Sequence, residues 1–147
     1  MRFAIFKGQT LHAVVDADPG KMPPDGYAES LRMLNGADSC VPIESDAHLA
    51  ILRANATTAE TIGAGFTFRD RRFSLSLASQ ITISNAYTIR STIPYPLRWA
   101  DADDAGFVAM ESAADIEAFY QAATLAVLTA RSTGNAAKAA VIETEKG

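Results

Sequence analysis

One cysteine, two histidines and one tryptophan occur in 147 residues, and each scarcity removes a class of chemistry. A lone thiol, Cys40, cannot form an internal disulfide, so the chain fits a reducing compartment. As a nucleophile Cys40 would need a base; His48 lies eight residues on and His12 far upstream, in no known catalytic pattern. Cys40 therefore reads as a buried or bystander residue. His48, near the start of a helical stretch, reads as a surface or N-terminal-turn residue.

Positive charge is also short. Lys and Arg total 13 against 17 Asp and Glu, a formal net charge of -4. That balance argues against broad nucleic-acid binding, which needs a basic face. No window reaches the roughly 18 apolar residues of a membrane helix, and "MRFAIFKGQTLHAVVDADPG" lacks a signal-peptide core. The expectation is a soluble chain made in the cytosol. No GxGxxG follows a strand, and GxxxxGK[ST], HExxH and GxSxG are missing. An enzyme would rest on carboxylates alone, and no pair stands out. The reading is non-enzymatic, with no cofactor and no metal.

What is present suits a packed core: 48% of residues are hydrophobic, in a chain long enough to bury about 68–70% of its unfolded surface. The expected organisation is an N-terminal lobe, 1–62, with a hairpin and two short helices, followed by an α+β domain, 63–147. Residues 2–7 and 10–16 alternate around Gly8-Gln9 as a β-hairpin. Asp16 to Gly26, with three prolines, reads as loop. Tyr27, Leu31 and Leu34 mark a short helix stopped by Gly36. "CVPI" reads as a brief strand, and Ser45 caps a helix carrying Leu49, Leu52 and Ala56, ending between Thr57 and Gly65.

"FTFRDRRFSLS" is a second hairpin signal, with Phe66 and Phe68 before the turn and Phe73 and Leu75 after it. Between Leu77 and Arg90 the pattern is mixed: "ITIS" alternates like a strand, but some fourteen residues without Gly or Pro favour helix. Ser112 with Asp115 resembles a capping box. Ile116, Phe119, Tyr120, Ala123, Val127 and Ala130 then recur at helical spacing, as core or as an oligomer seam. Gly134 interrupts, and "NAAKAAVIETEK" continues as a last helical segment. The fold class expected is α+β: short antiparallel hairpins packed against three to five helices, the C-terminal one long.

The acidic run Asp101, Asp103, Asp104 ahead of Gly106 raises a calcium loop. Ala105 and Ser112 stand where such a loop needs an oxygen ligand and a bidentate Glu. Leu97 and Trp99 before the run, and Phe107, Val108 and Met110 after it, make it a turn between strands.

The candidate contact residues are Phe3, Ile5, Phe6 and Val14 of the first hairpin, Phe119 and Tyr120 on the long helix, and Arg69, Arg71 and Arg72. Aromatic residues and Arg are what interfaces enrich, although Phe3, Ile5 and Phe119 each also read as core. Reversing Arg71 and Arg72 to Glu is expected to leave the fold intact.

"FRDRRFSLSLASQITISNAY" and "YPLRWADADDAGFVAMESAADIEAFYQAATLAVLTA" together resemble a small bacteriophage domain of unknown function found in tail-fibre-assembly-like and other tail-region proteins. The shared layout is an F-x-D…F hairpin, a Ser-x-x-x-Gln element at Ser76 to Gln80, an aromatic residue before an acidic turn at Trp99-Ala100-Asp101, and a helix from Asp115. The resemblance covers about residues 64–132. Upstream, "VPIESDAHLAILRANATTAETI" is similar to the helix preceding that domain, with Glu60-Thr61 where Gly-Lys is usual. No catalytic residues are carried over. The resemblance implies a virion component synthesised in the host cytoplasm, a tail, baseplate or fibre-attachment subunit. Its partners would be other phage tail or fibre proteins, within a homo-oligomer or symmetric assembly, with no nucleic acid and no membrane. The alternative it implies is a tail-fibre assembly chaperone that leaves the finished particle.

Overall fold

The alternation and turn at the N-terminus form the expected hairpin in a computed structural model that describes residues 1–16 and 24–146. Strands β1 (Arg2–Lys7) and β2 (Thr10–Asp16) pair antiparallel, from Arg2↔Asp16 to Lys7↔Thr10. Gly8 adopts φ +60 in the turn between them and donates its N–H to the Asp38 carboxylate. Strand β3 (Ser39–Ile43), the brief strand expected at "CVPI", adds to the other edge of β1, giving the order β2-β1-β3. That makes β1 central, and Phe3, Ala4 and Ile5 are wholly buried.

Helix α1 spans Pro24–Leu34. It begins inside the stretch expected to be loop, because a proline at the first helical position gives up only an N–H that would lack a partner there. The rest of that loop, 17–23, lies outside the described residues. Gly36 ends the helix as expected, at φ +55, with the Gly36 and Ala37 amides bonding back to Met33 and Arg32. Leu31 is buried, but Leu34, expected on the same face, is exposed.

Helix α2 spans Asp46–Gly63. The Ser45 hydroxyl accepts the His48 N–H at 3.0 Å, and His48 Nδ1 accepts the Glu44 N–H at 3.2 Å, so His48 belongs to the helix cap. Leu49 and Leu52 pack with Ala4, Phe6, Leu11, Val14 and Ile43 into one apolar cluster.

The remaining elements are strands β4 (Phe66–Phe68) and β5 (Arg71–Phe73), helix α3 (Leu77–Thr88), strands β6 (Leu97–Ala100) and β7 (Phe107–Met110), and helix α4 (Ala113–Lys146). The mixed 77–90 segment is helical. Ser76 caps α3, its hydroxyl accepting the Ser79 N–H, and the Gln80 side chain donates to the Leu75 carbonyl at 2.7 Å. Both ends of the Ser-x-x-x-Gln element therefore hold the helix start.

One expectation fails at Gly134, which does not interrupt α4. It is buried within the helix, and a Cβ there would strike the Thr58 hydroxyl of α2. The missing side chain serves a close approach of backbone to side chain, which outweighs its helix cost of about 1 kcal/mol.

The α+β class, with four helices, a long C-terminal helix and antiparallel strand pairs among the described residues, is as expected. The chain packs as two units. Residues up to Glu60 with those from Thr133 onward form one, and Thr61–Ser132 forms the other; the expected division was 1–62 and 63–147. The second unit is built around Phe119. Its wholly buried ring meets those of Phe66, Phe68, Phe73 and Trp99 at centroid distances of 4.9 to 5.2 Å.

Candidate interaction surface

The basic turn between β4 and β5 is a two-residue loop, Arg69-Asp70, with both residues at positive φ (49 and 61). That twist suits a tight hairpin but is costly for residues with a Cβ. The three arginines around it are each paired within their own unit. Arg69 pairs with Asp115 and donates to the Ala109 carbonyl at 3.0 Å. Arg71 reaches the Asp101 carboxylate at 2.6 Å, while Arg72 pairs with Asp103. The Arg72 carbonyl also accepts the Ala102 N–H at 2.9 Å. The turn is thus stitched to the β6–β7 hairpin and to the start of α4.

The acidic run forms the other side of that seam. β6 and β7 pair antiparallel across it, from Leu97↔Met110 to Ala100↔Phe107. Asp101 is buried; its Oδ1 accepts the Asp103 and Ala105 amides, and its Oδ2 faces Arg71. Burial works against its ionisation, but the Ala105 N–H, the Arg71 guanidinium and the Asp103 N–H outweigh it, holding the carboxyl below the usual aspartate range. Asp115 is also lowered, first by the Glu111 N–H and then, against burial, by Arg69. These carboxylates organise a turn and a helix start.

The other candidates are placed as follows. Phe3 and Ile5 are wholly buried in the central strand, so neither is an accessible contact. Phe6 and Val14 are half-buried, packed against the Ala4–Leu49 cluster. Phe119 faces the core, because it is the ring on which the unit's other aromatics converge. Tyr120 is half-buried and stacked on Tyr87, with ring centroids 4.2 Å apart, and Arg90 lies over the far face of that stack's Tyr87 partner at 4.1 Å. Cys40 is half-buried in β3, where burial raises its thiol above the usual range. Arg71→Glu is expected to cost stability, since Asp101 would face a second carboxylate.

Exposed apolar side chains lie elsewhere, where the sequence reading did not place a surface. Leu77 and Ile81 on α3 and Ile89 at its C-terminal cap are 74%, 52% and 54% exposed, while Ile83 on the same helix is buried. The signal was legible as a helix apolar on more than one face, in the same mixed pattern that blurred helix and strand. Beside α3, a groove of about 500 Å³ runs along β6, lined by Ala86, Ile89, Ile93, Leu97 and Trp99 among others. Among the described residues, no helix is long and apolar enough to cross a membrane.

Residues 46–146 match the family described as Domain of unknown function (DUF4376), so the match extends beyond 64–132 to take in the whole of α2 and of α4. No curated protein and no solved structure matches the chain. With about two-thirds of its length matched, the chain belongs to the DUF4376 family.

Proposed function

We propose that this chain is a non-enzymatic structural component of a bacteriophage virion, a small tail, baseplate or fibre-attachment subunit that works through protein–protein contacts. The phage assignment is supported by the resemblance of residues 64–132 to tail-region proteins. The observation that carries the contact role is the two-sided apolar character of α3. A soluble surface helix normally turns one apolar stripe inward, yet Leu77, Ile81 and Ile89 are each more than half exposed. Exposed apolar groups of this kind mark surfaces that another protein covers. The arginine turn, engaged within its own unit, is a poorer docking surface than α3.

Quantitative mass spectrometry of purified particles of the phage or prophage encoding the chain tests this reading. A fixed ratio to the major tail proteins is expected. Absence from particles, with the chain bound to a fibre protein in the lysate, would make it an assembly chaperone instead. Absence from both overturns the phage reading.

A further inference from the structure

The β6–β7 sheet has two strands and therefore two outer edges. Asp101 donates its N–H to the Gly106 carbonyl. Hydrogen-bonded pairs alternate along an antiparallel ladder, so with this register Leu97, Trp99 and Asp101 bond across to β7. The backbone groups of Arg98, Ala100 and Ala102 then face out along the β6 edge, and those of Phe107, Ala109 and Glu111 face out along the β7 edge. Along β7 the Ala109 carbonyl is taken by Arg69, and just beyond the strand the Glu111 N–H bonds to Asp115. On β6, Ala102 donates to the Arg72 carbonyl. The outward N–H and C=O groups of Arg98 and Ala100 have no partner among the described residues, so β6 keeps two consecutive open positions along its edge.

Both residues are exposed, and both line the apolar groove whose other wall is α3. Arg98 is charged and makes no ion pair among the described residues, unlike Arg69, Arg71 and Arg72. We propose that the open edge of β6 seats an extended segment of another protein, added as a third strand, with apolar side chains toward Ile89 and Ile93 and an acidic residue beside Arg98. Main-chain bonds would supply register and the groove would supply selectivity. A second copy of the chain fits less well. Two β6 strands paired about Trp99 would set their Arg98 side chains diagonally on one face, where like charges repel. The inference rests on the protein–protein part of the proposed function and is independent of the virion assignment.

The test uses the full chain, isotope-labelled, and a capped peptide alternating valine and threonine around a central aspartate. Its control carries lysine in place of that aspartate. The Arg98 and Ala100 amides are expected to exchange rapidly in the free chain and to become protected with the aspartate peptide. The lysine peptide should bind roughly three- to fivefold more weakly, as for an exposed ion pair, and Arg98→Glu should reverse that order. No protection of the two amides at roughly millimolar peptide, or equal binding of both peptides, overturns the proposal; equal binding would make Arg98 a guard against edge pairing. Protection of the edge in a chain absent from particles would keep this inference and remove the virion reading. An unprotected edge in a chain found in particles would do the reverse.

Discussion

Arg71 lies across Gly106 and reaches the buried carboxylate of Asp101, 30 residues along the chain, at 2.6 Å. A Cβ at Gly106 would meet the guanidinium itself, so this glycine makes room for the charge pair. One arginine thereby holds the β4–β5 hairpin against the turn of the β6–β7 hairpin, and the turn's own amides complete the carboxylate's shell.

Arg71→Glu should lower the melting temperature by on the order of 5 °C or more, because it leaves Asp101 buried beside a like charge. Arg72→Glu should change it little, since the Arg72–Asp103 pair is largely exposed. Thermal unfolding of the two single variants checks the contrast; equal losses would mean that the Arg71 pair has no special weight.

Acid should destabilise the fold through Asp101 and Asp115. Both carboxyls are held below the usual aspartate value of about 3.9 in the folded chain. The unfolded chain therefore binds more protons in this range, and stability falls with pH. The contribution is fully present above about pH 4 and is lost as pH drops through the folded values. Melting temperature followed from neutral pH downward should show this loss, and Asp101→Asn should flatten the slope below about pH 4.

Gly134→Ala should destabilise the chain by about 1 kcal/mol, with the overpacking cost exceeding the gain in helix propensity. In a Thr58→Ala background the colliding hydroxyl is gone, and the same substitution should be neutral or favourable. Denaturant unfolding of the double-mutant cycle reads this coupling directly. Simple additivity would show that the two helices do not meet at this point.

Gly65 and Gly36 both have positive φ, but their surroundings differ. A Cβ at Gly65 (φ +82) would collide with the Phe73 carbonyl, whereas one at Gly36 (φ +55) meets open space. Gly36→Ala should cost about 1–2 kcal/mol, the conformational strain alone. Gly65→Ala should cost clearly more, about 3 kcal/mol, because backbone must move. Unfolding midpoints with matched denaturant slopes would test the ranking.

Local pattern alone determined the three hairpins, the short strand at Ser39–Ile43, the cap at Ser45 and three of the four described helices, while 77–90 carried both strand and helix signals. Alternation, turn residues and capping side chains act over a few positions, so neighbours in sequence carry that information. Tertiary structure decided what the marked residues do. Phe119 could have faced outward on its helix, and it became core because four aromatic rings from strands far along the chain converge on it. The arginine triplet read as candidate contact residues because its carboxylate partners lie 30 to 46 residues away. Gly134 read as a break because Thr58, which requires it, belongs to another helix. The open edge of β6 was equally hidden, since which backbone groups remain unpaired depends on register and on side chains reaching in from other elements.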